Sequence, residues 1–443
     1  MKIQFIQPSI GRKSERYIRS WQMQPLPIAT LAGLTPPEHE VSFVDDRFQN
    51  IDYNAQSDIV ALPVETYTAQ RAYEISRRFR EKGIHVVMGG IHAMLEPQEV
   101  SKNCDSVCIT GAETIWEKML DDFQKRRLQK VYFEENTGQL IHVQPRRDLF
   151  NGLPYLPLEI IETGRGCPNH CDFCAVQVAH KQSYRSKSLD SIIQDIESVK
   201  GKNIYFADDN FVSDFKRTKE LCRRMSPLKK KWFSHGSINM ADDEELLKLL
   251  EKSGCVNLLI GFETLNQETL REMGKSWNNA RRSYEEAIKK IIDNGITIYA
   301  TFCFGYDSDT KEDFKRAFDF SIEQKFALCA YNHLIPYPNT PLYHRLKNEN
   351  RLFEEKWWLR EGYKFGEVVF KPKNMSAEEL AEYCFECREQ FYKYSSIARR
   401  IMDFKANSKN AYNLLAVGIS NLASKRGIKE RQYWEIGKGG DNV

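Results

Sequence analysis

Short apolar runs alternate with amphipathic stretches along most of this 443-residue chain. In the first 150 residues, the runs KIQFIQP, VSFVDD, DIVALPV, HVVMGG and SVCITG predict five buried strands. Helical spacing separates several of them, most clearly at Ala72, Ile75 and Phe79, and Gly83 ends that helix. Strands that alternate with helices predict a parallel, doubly wound α/β sheet, which binds ligands at the carboxyl ends of its strands.

The same alternation returns at Glu159. Its six strand candidates are EIIET, NIYFADD, KWFSHGS, VNLLIGFE, TIYATFCFG and ALCAYNHLIP. Helical patterns fill the gaps at Leu189–Lys200, Thr218–Met225, Asp243–Ser253, Arg281–Asp293 and Lys311–Glu323. Six strand–helix units are fewer than the eight of a closed (β/α)8 barrel.

The chain divides into four segments on these patterns. Residues 1–145 are predicted to form the doubly wound, Rossmann-like domain, with a hairpin at Val131–Pro145 that turns at Asn136–Gly138. Residues 146–158 form a linker, 159–340 form the second strand–helix domain, and 341–443 form a mainly helical domain. In the last segment, Ser376 and Glu379 are a capping box for a helix, and a second helix is predicted from Asn410.

Composition and charge exclude several classes of protein. The net charge of +3 and the absence of a basic tract argue against nucleic acid as a partner. No apolar run approaches the roughly 20 residues that span a bilayer. Eleven cysteines, an odd number, are expected in the reducing cytoplasm. Cys384 and Cys387 form a CxxC within a helical pattern, which predicts core residues, with an auxiliary cluster or redox pair as the alternative.

Three cysteines stand out in the stretch EIIETGRGCPNHCDFC. Cys167, Cys171 and Cys174 follow a short strand and a glycine turn, so they lie on a loop that can wrap three sulfurs around one centre. A zinc site normally needs a fourth ligand, and His170 could join only if the loop bent sharply. A 4Fe-4S cluster with three protein ligands leaves one iron open to a small molecule. Zinc, or a plain loop, remains the alternative.

This loop resembles that of the radical SAM superfamily, including Phe173 just before the third cysteine. The resemblance implies a 4Fe-4S cluster on Cys167, Cys171 and Cys174 whose open iron chelates S-adenosylmethionine (SAM). One electron from the cluster then cleaves SAM to a 5′-deoxyadenosyl radical. The resemblance also implies an open, six-stranded partial TIM-like barrel with its chemistry at the strand ends, and an electron donor such as flavodoxin or ferredoxin.

Polar residues at three strand ends match the SAM-binding positions of this family. Asp208 and Asp209 end the second strand and are expected to accept hydrogen bonds from the SAM ammonium, although they are also ordinary turn residues. Ser237 ends the third strand. Glu263 ends the fourth and is expected at the SAM ribose, with a helix cap as the alternative.

The loops of the first domain are rich in small residues, which alone indicate tight turns. In order along the chain, however, PLPIATLAGL, HEVSFVDD, VVMGGIHAMLEPQE and ITGAET resemble the cobalamin-binding domain that precedes many radical SAM enzymes. No DxHxxG is present, so a histidine ligand to cobalt is not expected. The residues that this resemblance places at cobalamin are Thr66, Thr68, Gly89, Gly90, His92, Gly111, Glu113 and Thr114.

The combined resemblance is to class B radical SAM methyltransferases. It implies methyl transfer to an unactivated carbon or a phosphinate of a small-molecule substrate, with one SAM methylating cobalamin and a second generating the radical. No general base or catalytic triad is evident in the sequence. Two alternatives stay open: a radical SAM enzyme that performs oxidative cyclisation, rearrangement or dehydration, with or without cobalamin, and a non-enzymatic cobalamin or iron–sulfur sensor.

Overall fold

The computed structural model describes residues 1–11, 22–135, 138–278 and 283–437. These residues form two compact units. The first unit contains Met1–Tyr155, Glu354–Phe365 and the segment from Tyr433 onward, and the second contains Leu156–Phe353 and Gly366–Gln432. Both are built on parallel sheets, as the alternating pattern predicts. Among the described residues, no helix combines the length and the hydropathy needed to cross a membrane.

The first unit is organised around a six-stranded parallel sheet in the order β2-β1-β3-β4-β5-β6. The strands are β1 (Lys2–Gln7), β2 (Glu40–Asp45), β3 (Ile59–Pro63), β4 (His85–Gly89), β5 (Ser106–Cys108) and β6 (Val131–Tyr132). The helices are α1 (Leu26–Leu34), α2 (Ala69–Arg80), α3 (Ile91–Leu95), α4 (Pro97–Lys102) and α5 (Trp116–Gln124). The strand order reverses at β1, which is the arrangement of doubly wound sheets that bind ligands at the strands' carboxyl edge.

A core of aliphatic and aromatic side chains lies on one side of this sheet. Phe5 of β1 and Trp116 of α5 pack with their ring centroids 5.6 Å apart. The Trp116 indole N–H donates to the Thr35 hydroxyl at 2.9 Å, so its polar atom is satisfied within the core.

The second unit carries the other six-stranded parallel sheet, in the order β14-β13-β12-β11-β10-β7. Its strands are β7 (Glu159–Ile161), β10 (Asn203–Phe206), β11 (Lys231–Gly236), β12 (Cys255–Glu263), β13 (Thr297–Phe304) and β14 (Leu328–His333). A separate antiparallel ribbon joins β8 (Gly164–Gly166) to β9 (Tyr184–Ser186). All six strand predictions for this part of the chain are confirmed.

Helices follow the strands of this sheet and continue beyond it. They are α6 (Ala175–Ala179), α7 (Leu189–Ser198), α8 (Phe215–Met225), α9 (Glu244–Lys252), α10 (Gln267–Glu272), α11 (Tyr284–Asp293), α12 (Lys311–Glu323), α13 (Pro341–Asn348), α14 (Ala377–Phe391), α15 (Tyr394–Ile401) and α16 (Ala411–Arg431). The capping box of Ser376 and Glu379 at the start of α14 is confirmed. Asn410 caps α16 by accepting from the Asn413 N–H.

The helix-facing side of the second sheet is apolar, whereas the opposite side is mixed. In β12, Leu258, Ile260 and Phe262 are fully buried, and Phe262 packs 5.1 Å from the ring of Phe326. The alternate positions, including Gly261, are partly open. This alternation is expected for a strand with helices on one face only.

The hairpin predicted at 131–145 is wrong where the structure describes it. Val131 and Tyr132 pair in parallel with β5, and no strand follows in residues 138–145. The predicted turn at Asn136–Gly138 lies mostly outside the described residues. A glycine turn between two short apolar runs predicts that the chain reverses and the two runs pair. Here the first run pairs instead with β5, at the edge of the sheet.

Candidate active site

The cysteine loop lies between the ribbon strand β8 and helix α6, and β8 itself begins shortly after the end of β7. Gly166 closes β8 with φ +88°, and a Cβ there would lie 2.0 Å from the Ser183 carbonyl oxygen. Glycine is therefore required at this position, both for the backbone angle and for the close approach of β9. The loop thus leaves the sheet on a fixed path.

Asp172, between the second and third cysteines, ties this loop to other elements of the second unit. Its N–H donates to the Met273 carbonyl at 3.2 Å, and its own carbonyl accepts from the Leu342 N–H at 3.0 Å. The Tyr306 hydroxyl, just beyond β13, donates to the Asp172 carboxylate. These three bonds hold the cysteines in place from β13, α10 and α13.

The three thiols influence one another and are mostly removed from water. Burial raises the pKa of the Cys171 thiol to about 12, and the Lys275 ammonium opposes that rise. The thiols of Cys167 and Cys174, on the same loop, add to that rise. Burial also raises the pKa of Cys174. Because iron binds thiolate, cluster assembly on this loop must displace protons.

The two carboxylates predicted at the second strand end have different partners. Asp208 is 1% exposed, and both its oxygens accept from Thr163, one from the backbone N–H at 2.7 Å and one from the hydroxyl. Burial raises the pKa of Asp208 to about 7. Each oxygen of Asp208 thus accepts one hydrogen bond at the end of β7, and a contact between Asp208 and SAM stays a prediction.

Asp209 is bonded at the start of the cysteine loop. Its Oδ2 accepts from the Gly166 N–H at 2.7 Å. Burial raises the pKa of Asp209, an effect that the Gly166 N–H partly offsets. That Asp209 accepts from the SAM ammonium stays a prediction.

Ser237 and its neighbours form a polar group beyond β11. The Ser237 hydroxyl donates to Asn239 Oδ1 at 2.6 Å and accepts from Asn210 Nδ2 at 3.3 Å. Asn210 is buried, at 6% exposed, yet its Oδ1 has no hydrogen-bond partner among the described residues. A buried, unpartnered carbonyl oxygen is normally satisfied by another donor, and a bound ligand would supply one.

Glu263 ends β12 beside this group. It is not a helix cap, because Asn266 caps α10 by accepting from the Glu268 N–H at 2.9 Å. Its Oε1 accepts from the ammonium of Lys275 at 2.8 Å, in an ion pair that is almost fully buried. Lys275 was not found from the sequence, since one lysine after a short helix carries no periodic or spacing signal.

A second pair missed from the sequence is Tyr205 with His235. The Tyr205 hydroxyl and His235 Nε2 share a hydrogen bond of 2.8 Å, and His235 also bonds to the backbone of Asp208. Burial lowers the pKa of His235, which keeps the ring neutral. His235 is paired in register with Leu259, so it lies on the same sheet face as Gly261.

Cys384 and Cys387 serve the core of α14. Cys384 is fully buried, and the Cys387 thiol donates to the Phe314 carbonyl at 3.9 Å. Burial raises the pKa of both thiols, that of Cys387 to about 12. Cys384 is thus a core residue of the second unit, whereas Cys387 is only partly buried.

In the first unit, the predicted cobalamin residues lie in three loops at the carboxyl edge of the sheet, after β3, β4 and β5. Gly90 follows β4 with φ +100°, and a Cβ there would lie 2.8 Å from the Val64 carbonyl oxygen, so two of these loops touch. Gly89 ends β4. Gly111 precedes a short 3-10 helix, Ala112–Thr114, none of whose residues is buried.

The hydroxyl and imidazole groups of these loops are bonded locally. Thr68 and Glu65 form a capping box. The Thr66 hydroxyl contacts His92 Nδ1 at 3.2 Å, and His92 Nε2 contacts Glu99 Oε1 at 3.2 Å. His92 is fully buried, and its two ring contacts connect the loops after β3 and β4. A contact between His92 and cobalamin stays a prediction.

Comparison with known proteins identifies the domain that carries the thiols. Residues 161–321 match the radical SAM superfamily. These residues form a radical SAM domain. Residues 340–431 match a domain of unknown function, DUF4070. The radical SAM match begins at the end of β7 and contains all three loop cysteines.

Relatives of the chain in curated proteins and solved structures extend beyond that domain. Bacteriochlorophyllide d C-12(1)-methyltransferase of Chlorobaculum tepidum is 28% identical over 85% of this chain and 84% of its own length. The anaerobic magnesium-protoporphyrin IX monomethyl ester cyclase of Cereibacter sphaeroides is 23% identical over 99% of this chain and 77% of its own. The methyltransferase TsrM of Kitasatospora setae, solved with cobalamin and a 4Fe-4S cluster, aligns with TM-score 0.65 and 17% identity, covering 96% and 88%.

The residues of the radical SAM domain fit the groups that this superfamily uses. Three thiols on one held loop could provide the sulfur donors of an iron–sulfur cluster. Asp209, the free Oδ1 of Asn210 and Glu263 lie at the ends of neighbouring strands, where they can accept from the ammonium and hydroxyl groups of SAM. The enzyme is therefore of the radical SAM type.

Proposed function

We propose that this chain is a cobalamin-dependent radical SAM methyltransferase that methylates an unactivated carbon or a phosphinate centre of a small molecule. The observation that supports the proposal is that Asp209 accepts from the Gly166 N–H at the start of the cysteine loop, while Glu263 pairs with Lys275 at the end of a strand of the same sheet. Its sheet is proposed to be the partial (β/α)6 barrel of the superfamily.

Cysteine, carboxylate and amide groups have separate tasks in this proposal. Cys167, Cys171 and Cys174 would hold a 4Fe-4S cluster, while Asp209 would orient the SAM ammonium and Glu263 the ribose. When bound, cluster and SAM supply a 5′-deoxyadenosyl radical, and cobalamin carries the methyl group. The short loops around Gly90 and Gly111 would accept cobalamin in the first unit, without an imidazole ligand to cobalt because His92 is fully bonded.

The relatives support methyl transfer and leave a second reaction class open. The bacteriochlorophyllide d relative is a methyltransferase by name, and so is TsrM, whereas the magnesium-protoporphyrin relative is a cyclase. Oxidative cyclisation is therefore the second candidate function. The two reactions differ in what becomes of SAM, so they can be separated without knowing the substrate's final structure.

The test is product analysis under anaerobic conditions. Protein loaded with iron, sulfide and cobalamin is incubated with SAM, a chemical reductant in place of flavodoxin or ferredoxin, and a substrate panel that includes the tetrapyrroles named for the two relatives. We expect S-adenosylhomocysteine and 5′-deoxyadenosine together with at least one substrate. If a panel member stimulates the formation of 5′-deoxyadenosine but no S-adenosylhomocysteine appears, cyclisation would be favoured instead.

A further inference from the structure

Lys275 is a buried cation for which the proposed SAM site has no assigned task. It lies three residues after α10 and is 7% exposed. Its ammonium donates to the Gly261 carbonyl and to Glu263 Oε1, each at 2.8 Å. Removing an ammonium from water costs several kcal/mol unless it is paired and hydrogen-bonded. Its position is thus defined by these two acceptors at the end of β12.

The backbone of Glu263 is unusual at the point where the ion pair forms. Its φ is +64°, in the left-handed region, and the register between β12 and β13 shifts between Gly261 and Glu263. A bulge of this kind redirects a side chain at the end of a strand. The Asn278 side chain donates to the Gly261 carbonyl at 3.1 Å and to the Phe262 carbonyl at 3.3 Å, which holds the bulge.

Gly261 shows where the redirected carboxylate lies. A Cβ on Gly261 would be 2.1 Å from Glu263 Oε1 and 2.7 Å from Lys275 Nζ. The carboxylate is therefore folded over the strand, in the space that glycine leaves open. Oε1 accepts from Lys275, and the partner of Oε2 within the described part of the chain is the Thr301 hydroxyl at the long distance of 3.5 Å, so Oε2 can accept from a further donor.

The segment that leads into Lys275 packs on the cysteine loop. The Asp172 N–H donates to the Met273 carbonyl at 3.2 Å, and a Cβ on Gly274 would lie 2.8 Å from the His170 carbonyl oxygen. Lys275 therefore follows directly on residues that contact the loop of the proposed cluster ligands, while its ammonium pairs with the carboxylate proposed for the ribose.

We propose that Lys275 is a positioning residue with two effects: it fixes Glu263 for the ribose of SAM, and it places a positive charge beside the cluster thiolate of Cys171. The inference rests on the proposed function, because it takes Glu263 as a ribose ligand and Cys171 as a cluster ligand. A nearby positive charge favours the reduced, more negative cluster, so it raises the cluster's reduction potential.

The test uses four variants of the reconstituted full chain. Lys275→Met removes the cation, Lys275→Arg keeps it, and Glu263→Gln removes the opposing charge. Lys290→Met, at an exposed position of α11, is the matched control. SAM binding is measured by titration calorimetry, and the cluster midpoint potential by redox titration followed with electron paramagnetic resonance, both on samples of equal iron content.

Opposite shifts in potential are the signature of this arrangement. We expect Lys275→Met and Glu263→Gln each to weaken SAM binding about 10-fold or more, which corresponds to about 1.4 kcal/mol. Lys275→Met should make the midpoint potential more negative, and Glu263→Gln should make it less negative. Lys275→Arg should stay nearer the wild-type potential, and Lys290→Met should match the wild type in both measurements.

The inference fails if Lys275→Met binds SAM as the wild type does, or if both charge-removing variants shift the potential in one direction. If Lys275→Met does not take up iron, the proposal is still tested by the other two variants at the ion pair, Glu263→Gln and Lys275→Arg. An unshifted midpoint potential in Glu263→Gln contradicts the proposal. A wild-type protein that binds no cobalamin would overturn the proposed function but leave these binding and potential measurements intact, so the two failures can be told apart.

Discussion

Replacing Cys171 with alanine is expected to abolish reductive cleavage of SAM, with a loss of at least about 10³-fold in 5′-deoxyadenosine formation. The reason is the ligand count: with only three thiols on the loop, two cannot hold a cluster that must also leave one iron open. Iron content after anaerobic reconstitution should fall with activity. The measurements are iron and sulfide analysis and quantification of 5′-deoxyadenosine by chromatography.

Cys384→Ala is the matched control, because Cys384 is also a buried cysteine of the second unit but belongs to α14. It should retain wild-type iron content, at some cost in core packing. If Cys171→Ala kept four irons per chain, the loop would not be the cluster site. If Cys384→Ala lost iron while folded, the CxxC pair would be a metal site after all.

Replacing Glu99 with alanine is expected to destabilise the first unit by about 3–5 kcal/mol, since buried donors would lose their shared acceptor. Glu99 Oε1 accepts from the Tyr73 hydroxyl at 2.9 Å and from the Trp358 indole at 3.0 Å. Its Oε2 accepts from Lys356 at 2.8 Å. These bonds join α2 and α4 to the segment Glu354–Phe365. Hydrogen exchange of the β3 and β4 amides measures the change in this unit alone.

Glu81→Ala provides the comparison. Glu81 follows α2 and pairs with Arg77, but both side chains are more than half exposed. Exposed pairs contribute little to stability, so the exchange rates should stay close to those of the wild type. Equal protection in Glu99→Ala and Glu81→Ala would show that the buried network does not hold the segment.

The same network predicts a pH dependence. Burial would raise the pKa of Glu99, but hydrogen bonds from His92, Lys356, Trp358 and Tyr73 outweigh it and lower the pKa to about 2, from 4.5. A depressed carboxyl pKa stabilises the folded state above the unfolded pKa, and that contribution is lost as the pH falls through the folded one. The first unit should therefore lose stability between about pH 4.5 and pH 2 in the wild type, and less steeply in Glu99→Ala.

Periodic features of this molecule were predictable from the sequence, because strand and helix periods repeat over many residues. The six strands of the second sheet and the capping box of Ser376 and Glu379 follow from such patterns. The hairpin at 131–145 failed because a local turn signal does not show that β5 offers a sheet edge. The cysteine loop could be recognised from the sequence because the spacing of its three cysteines is specific to a metal or cluster site.

Contacts between distant residues could not be predicted in this way. Trp358 and Glu99 are 259 positions apart, and no local pattern links them. The different partners of Asp208 and Asp209 depend on which carboxylate Thr163 meets after folding. Lys275 becomes informative only when the bulge at Glu263 brings it to the strand end. Contacts of this kind determine details of the structure that the sequence pattern does not show.

The most direct test of the central claim is the metal content of wild-type protein purified without oxygen from cells that take up cobalamin. Cobalt and iron are measured by mass spectrometry, with the optical spectrum of the bound species. The account predicts about one cobalt and four irons per chain, with a corrinoid spectrum. Four irons without cobalt would contradict the cobalamin-dependent mechanism and make a cobalamin-independent radical reaction the better explanation.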